Sequence, residues 1–203
     1  MFADELDAVL PADLPHRGEV IRGAAKHIEL IVEANKVLNL TRITSPREAA
    51  IKHVLDSVMP WRLFEGTRHV LDAGTGAGFP GIPLALVLPD TQFTLAESIQ
   101  KKARFVESAL AELKLPNVEI AARRAEELKA DIITARALAP ISKILALFRP
   151  TLKSGSRLLL YKGPDVETEI AEAGTTRARI EIVMRYDLPG SLGSRTIVSI
   201  TPV

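Results

Sequence analysis

The segment Val70-Leu71-Asp72-Ala73-Gly74-Thr75-Gly76-Ala77-Gly78-Phe79-Pro80-Gly81 has the residue types of a ligand cradle. A strand-like run ends in Asp72, a glycine-rich turn follows, and a helix-like run begins at Pro80. Glycine lets such a turn close tightly and lets a ligand approach its backbone. The start of the next helix offers unpaired N–H groups. Glu97 ends the second strand-like run, where a carboxylate can accept hydrogen bonds from both hydroxyls of a ribose. Ala125 and Glu126 follow the third such run, at the place where an adenine ring would lie. Glu126 can accept from an amine there, although Glu127 competes and an acid at a helix start has a purely local role.

Two cofactors fit this outline. Gly76 to Gly81 satisfies G-x-G-x-x-G, with Glu97 about 20 residues on, as a nicotinamide dinucleotide site requires. Three features favour S-adenosylmethionine instead. Asp72 sits at the strand end, where a dinucleotide fold runs apolar residues into the first glycine. The glycines begin at Gly74, giving D-x-G-x-G-x-G. Pro80 and Pro83 remove N–H donors that a pyrophosphate needs and that a cofactor without phosphates does not. The expected cofactor-binding residues are Asp72, Gly74, Gly76, Gly78, Phe79, Glu97, Ala125, Glu126 and Arg136. A dehydrogenase, or a glycine turn holding nothing, are the competing readings.

The target chemistry is narrowed by what is missing. There is no cysteine, which excludes disulfides, thiolate metal sites and a thiol nucleophile for cytosine carbon-5. After the fourth strand-like run stands Thr134-Ala135-Arg136-Ala137-Leu138-Ala139-Pro140, not the Asp/Asn-Pro-Pro-aromatic sequence of exocyclic amine methylases. Arg136 and Lys162 fall at the carboxyl ends of adjacent strands, the face where open α/β sheets bind ligands. They are the expected catalytic, substrate-facing cations, with a salt bridge to a nearby acid as the plain alternative for Arg136. Lys101, Lys102, Arg123 and Arg124 are candidates for holding phosphates. His16, His27, His53 and His69 lack metal-ligand spacing, so no metal is expected.

The elements that must position these residues are legible as patterns. Val20, Ile21, Ala24, Ile28, Ile31, Val32 and Val37 or Leu38 recur at spacings of three and four, which predicts a long helix. Ser45-Pro46-Arg47-Glu48 reads as a capping box opening a second one. From residue 68, strand-like runs (HVLDA, QFTLAE, VEIAA, DIITAR, RLLLYK) alternate with helix-like runs at 80–88, 100–114 and 140–150. That alternation predicts a parallel sheet covered on both faces. Residues 179–186 and 195–201 read as a closing strand pair, the topology of class I methyltransferases. The expected fold is therefore a Rossmann-like α/β domain over 68–203 with a helical N-terminal extension over 1–67.

The chain has 203 residues, 47% apolar and 25% charged, with a net charge of +1. The acidic start MFADELDAVLPADLP has no signal-peptide character, and no run is long enough to span a bilayer, so a cytoplasmic protein is expected; it is expected to be a monomer, although the sequence does not reveal oligomeric state. Residues 136–203 carry ten Lys+Arg against six Asp+Glu. That excess is compatible with a nucleic-acid partner and equally with a solvated surface.

Several motifs together resemble the glucose-inhibited division protein B (RsmG) family of bacterial 16S ribosomal RNA guanine-N7 methyltransferases. They are Asn39-Leu40-Thr41, His53-Val54-Leu55-Asp56-Ser57, the Asp72-to-Pro83 run with its GxPGIP extension, Glu97-Ser98 with Lys101-Lys102, Thr134-Ala135-Arg136-Ala137, and Lys162-Gly163. The resemblance covers roughly residues 35–200. It implies that Gly74, Phe79, Ala125, Glu126 and Arg136 contact or border the cofactor, and that the substrate is a guanine of 16S rRNA or of the small ribosomal subunit. Lys52 stands where the family carries arginine, and TIVSITPV follows Arg195 where the family is lysine-rich. Composition alone does not separate this reading from a small-molecule methyltransferase or a non-catalytic RNA module on the same fold.

Overall fold

The computed structural model describes residues 1–43, 45–174 and 178–203. The chain opens with α1 (Phe2–Val9) and the long α2 (Arg17–Leu38). The periodicity that predicts α2 is borne out, with Val20, Ala24, Ile28 and Ile31 buried. Asn39, in the left-handed region at φ 50, ends it. Then come α3 (Pro46–Ala49), a π-helical turn (Ala50–Leu55) and α4 (Asp56–Val58) as one continuous rod. Ser45 occupies the N-cap position but makes no side-chain cap; the Ala49 N–H goes to its carbonyl instead.

The sheet follows: β1 (His69–Ala73), β2 (Gln92–Ala96), β3 (Val118–Ala121), β4 (Ile132–Arg136), β5 (Arg157–Lys162), β6 (Ala178–Asp187) and β7 (Ser194–Pro202). Its order among the described residues is β3-β2-β1-β4-β5-β7-β6. The first five strands are parallel, and β7 runs antiparallel to both β5 and β6. A doubly wound dinucleotide fold would place a parallel sixth strand beside β5. The inserted β7 is the topological mark of the expected methyltransferase sheet. Residues Val70–Ala73 of β1 and Leu158–Lys162 of β5 are buried without alternation, as central strands covered on both faces must be. Edge strand β6 alternates exposed and half-buried residues with period two.

Each face has its own apolar layer. On one side Leu71, Ile133 and Leu158 meet Ile141 and Ile144 of α7 (Ile141–Leu147), Leu152 of α8 (Arg149–Lys153) and Val166 of α9 (Val166–Ala173). The helix expected over 140–150 breaks at Phe148, because Pro150 lacks the N–H that would continue the ladder. On the other side, α5 (Gly81–Val87) and α6 (Gln100–Leu113) share a cluster with Val20 and Ile28 of α2, Val54 and Leu55 of the π turn, and Tyr161 and Ile197 of the sheet. The N-terminal helices thus provide the cover that β5 and β7 would otherwise lack. Tyr161 donates its hydroxyl to the Ser57 carbonyl at 2.6 Å, a buried bond that fixes α4 over β5. Among the described residues, no helix is long and apolar enough to cross a membrane.

Candidate cofactor and substrate site

Asp72 is fully buried at the end of β1. Its Oδ2 accepts from Thr75 Oγ1 at 2.6 Å and from the Gly81 N–H at 2.8 Å, so one oxygen ties the start of the glycine turn to the first residue of α5. Its Oδ1 is buried with no hydrogen-bond partner among the described residues. Burial raises the Asp72 pKa to about 6, against the opposing pull of the Thr75 and Gly81 hydrogen bonds. Asp72, an expected cofactor ligand, also staples the turn.

The turn is clamped to β2 from the other side. The Gly74 and Thr75 N–H groups both donate to the Ala96 carbonyl, at 2.9 and 3.1 Å. Glu97 is buried, and its two oxygens accept separately from the N–H groups of Gly76 (3.2 Å) and Ile99 (2.8 Å). Two glycines here are required for opposite reasons. Gly78 has φ +102, and a Cβ on it would lie 2.5 Å from Ile82 Cδ1 and 3.0 Å from the His27 ring. Gly76 has φ +62, yet a Cβ there would meet nothing nearer than 4.0 Å. The turn is packed solid at Gly78 and open at Gly76.

Phe79 is buried against two imidazoles. His53 stacks on it at 4.6 Å and 12°, and His27 is tilted against it at 4.8 Å. The Arg136 guanidinium sits 5.4 Å above the same ring, at cation–π distance. His27 Nε2 lies 2.8 Å from the Ala77 carbonyl, which makes it the protonated nitrogen. His53 Nε2 meets Thr41 Oγ1 at 3.0 Å. Burial lowers the His27 pKa to about 4. Burial, aided by the Arg136 charge, lowers that of His53 to about 3. Both are neutral aromatic wedges that seat α2 and the π turn on the glycine turn.

The expected cations are both internally paired. Arg136 Nη1 donates to the Lys52 carbonyl (2.9 Å) and to Asp56 Oδ2 (3.1 Å). Asp56, 1% exposed, also receives Arg195 Nε on Oδ2 at 3.1 Å and the Tyr186 hydroxyl on Oδ1 at 3.0 Å. Lys162 Nζ donates to the Ala139 carbonyl (2.7 Å) and to Glu169 Oε2 (2.6 Å). The same Glu169 oxygen accepts the Ile141 N–H that opens α7. Between these clusters lies a cleft of about 420 Å³ lined by Arg136, Ala137, Leu138, Lys162, Gly163 and Arg195, among others. Ala137 has φ 54, a left-handed conformation that a residue bearing a Cβ rarely takes and that is concentrated at functional turns.

Of the remaining expected residues, Ala125 is buried in a short 3₁₀ turn against the core, and Glu126 is half-buried with Arg124 at 3.5 Å. Lys101, Arg123 and Arg124 are exposed and Lys102 half-buried, at the same carboxyl edge of the sheet. Asp56, Glu169, Tyr186 and Arg195 were absent from the expected site. Asp56 lies four residues after Lys52, on one helical face beside His53, and an acid there amid apolar neighbours is a signal of a buried ion pair. Glu169 carries no such signal.

Residues 21–195 match the GidB family model, rRNA small subunit methyltransferase G. The chain belongs to this family. It is 61% identical to the ribosomal RNA small subunit methyltransferase G of Solibacter usitatus, covering 98% of this chain and 99% of that protein. It is 34% identical to the protein of the same name from Carboxydothermus hydrogenoformans, covering 89% and 82%. The fold matches the O-methyltransferase TomG of Streptomyces achromogenes, solved in complex with S-adenosylmethionine, at a TM-score of 0.59 and 17% identity over 97% of this chain and 93% of that one.

For a GidB family member the glycine turn makes two checks direct. The open backbone at Gly76 and the buried carboxylate of Glu97 suit a ribose, because each Glu97 oxygen keeps a lone pair after its bond to the backbone. Glu97→Gln should therefore weaken S-adenosylmethionine binding about tenfold or more in calorimetry, since hydrogen bonds to a charged acceptor contribute roughly 1.5–3 kcal/mol. Unchanged affinity would remove Glu97 from the site. The second check is on stability. His27 and His53 titrate far below the ~6.5 of an unfolded histidine, so the unfolded chain takes up their protons as pH falls through 6.5 and the native state does not. Asp72 acts oppositely, holding a proton in the native state below about 6 and offsetting part of this loss. Urea midpoints should fall from pH 7 to pH 5, and His53→Phe, which keeps the stack, should make that slope shallower by up to about 1.4 kcal/mol per pH unit. An unaltered slope would show that His53 is not buried neutral.

Proposed function

We propose that this chain is an S-adenosylmethionine-dependent methyltransferase that methylates N7 of a guanine in 16S ribosomal RNA. Family membership supports ribosomal RNA as the substrate class. The observation that favours N7 is the chemistry of the cleft. Among its described lining residues no side chain stands ready as a base. Glu169 is held by Lys162 and the start of α7. Tyr161 donates to a carbonyl, and burial pushes its pKa well above the usual 10. Asp56 beneath the cleft is occupied by two arginines and a tyrosine. Guanine N7 has a lone pair and no proton to lose, so it needs none of them.

In this reading Gly74, Gly76 and Gly78 form the cofactor cradle that Asp72 closes, with Phe79 behind it. Glu97 receives the ribose, Ala125 and Glu126 border the adenine, and Arg136 flanks the cofactor over Phe79. When bound, S-adenosylmethionine supplies a methyl group on a positively charged sulfur. The chain's own work is positioning and electrostatics. Lys162 braces the Ala137–Pro140 turn through Ala139, which holds the cleft wall in place. Residues 1–67 serve as a helical extension that completes the catalytic unit of 68–203. The protein acts in the cytoplasm as a monomer, on 16S rRNA or on the small subunit, and Lys101, Lys102, Arg123 and Arg124 meet phosphates.

Radiolabelled methyl transfer to purified small subunits and to deproteinised 16S rRNA, followed by nucleoside analysis, tests this reading. Label should be found in 7-methylguanosine. The single-turnover rate at saturating cofactor should be nearly flat between about pH 6.5 and 9, because His53 stays neutral throughout and methyl transfer to a nitrogen without a proton needs no base. A rate that climbs tenfold per pH unit would mean that the target atom loses a proton.

A further inference from the structure

We propose that Arg195 is the side chain that reads the target guanine, and that it does so through O6 alone because Asp56 holds its Nε and the Ser194 carbonyl engages its Nη1. This rests on the guanine-N7 reading above. Three cations line the cleft, and they differ in exposure and in what holds them. The Lys162 ammonium is 8% exposed and bonded at 2.6 Å to its own carboxylate. Arg136 lies over Phe79, on the side of the glycine turn, with Nη1 shared between Lys52 and Asp56. Arg195 is the most exposed of the three, at 24%, and comes from β7, on the far side of the cleft from the glycine turn.

The commitments of Arg195 are specific. Nε donates to Asp56 Oδ2 at 3.1 Å and Nη1 to the Ser194 carbonyl at 3.1 Å. Nη2 has no partner among the described residues. An unconstrained arginine grips guanine with two parallel N–H groups, one on O6 and one on N7. Such a grip would occupy the lone pair that must accept the methyl group. With Nε on Asp56 and one Nη1 hydrogen on the Ser194 carbonyl, Nη2 is the nitrogen with both hydrogens free, and a single N–H from it to O6 leaves N7 open. Arg195 therefore supplies base selection without masking the reacting atom. It also places positive charge next to O6, and adenine, with an amino group at that position, would set donor against donor.

The test uses small subunits assembled with 2-aminopurine in place of the accepting guanine; this base keeps N7 and lacks O6. Wild-type protein should methylate it roughly tenfold to a hundredfold more slowly than guanine in single turnover, the range of one base-specific contact. Arg195→Met should slow the guanine reaction by a similar factor and treat the two bases alike, a coupling that a merely structural role would not produce. Equal wild-type rates on the two bases would overturn the assignment, and that arm needs no variant to fold. Retention of the full preference by Arg195→Met would overturn it as well. Label at N7 with either of these outcomes removes only Arg195; label at another atom removes the guanine-N7 reading itself.

Discussion

The Asp56 carboxylate is the constraint on which the site depends. It is buried, and a buried charge persists only when paired and hydrogen-bonded. Its partners come from three strands, Arg136 on β4, Tyr186 on β6 and Arg195 on β7, while Asp56 itself belongs to α4. One side chain thus fixes the N-terminal rod against the carboxyl ends of the strands. Two arginines on one carboxylate leave an excess positive charge at the cleft edge. Neither arginine is free to swing, and each keeps unused donors. That is the preorganised electrostatics that a reaction without acid–base chemistry requires.

The glycine turn is built on the same logic with smaller parts. Asp72 and Glu97 are both buried carboxylates, and both spend their charge on backbone N–H groups. Asp72 holds the turn from within, through Thr75 and Gly81. Glu97 holds it from β2 and retains acceptor capacity for a ligand. Phe79 joins the two halves of the site, in contact with His27, His53 and Arg136. Helix α2 and the π turn therefore press on the cofactor cradle through aromatic stacking as well as through Asp56.

Much of this was legible in the sequence, and the reasons are local. The parallel strands are continuous apolar runs, the turn is defined by its glycines, and α2 by its period; these patterns need no tertiary context. The inserted β7 was readable only as a closing strand pair, since order within a sheet is not a local property. Helix α1 was missed although Phe2, Leu6 and Leu10 are spaced by four and buried. Helix α9 was missed because its eight residues bury only Val166 fully, and with it went Glu169. The internal partners of Arg136 and Lys162 were not legible. Strand-end position gives direction, but whether a cation faces a ligand depends on acids far along the chain, Asp56 and Glu169. Arg195 was legible only as a landmark of the family resemblance, because a single arginine in an ordinary strand carries no signal of what it touches.

The account turns on Asp56 orienting Arg195 for substrate, while the proposed cofactor cradle belongs to Glu97, the glycines and Arg136, which keeps its bond to the Lys52 carbonyl. Asp56→Asn keeps the shape and removes the charge. The decisive measurement is the single-turnover methyl-transfer rate of this variant on small subunits, beside its calorimetric affinity for S-adenosylmethionine. Transfer should fall at least about tenfold, the loss of one charge-assisted contact, with cofactor affinity within about twofold of wild type. A variant that transfers methyl at the wild-type rate, or that loses cofactor affinity as steeply as it loses transfer, would contradict the account.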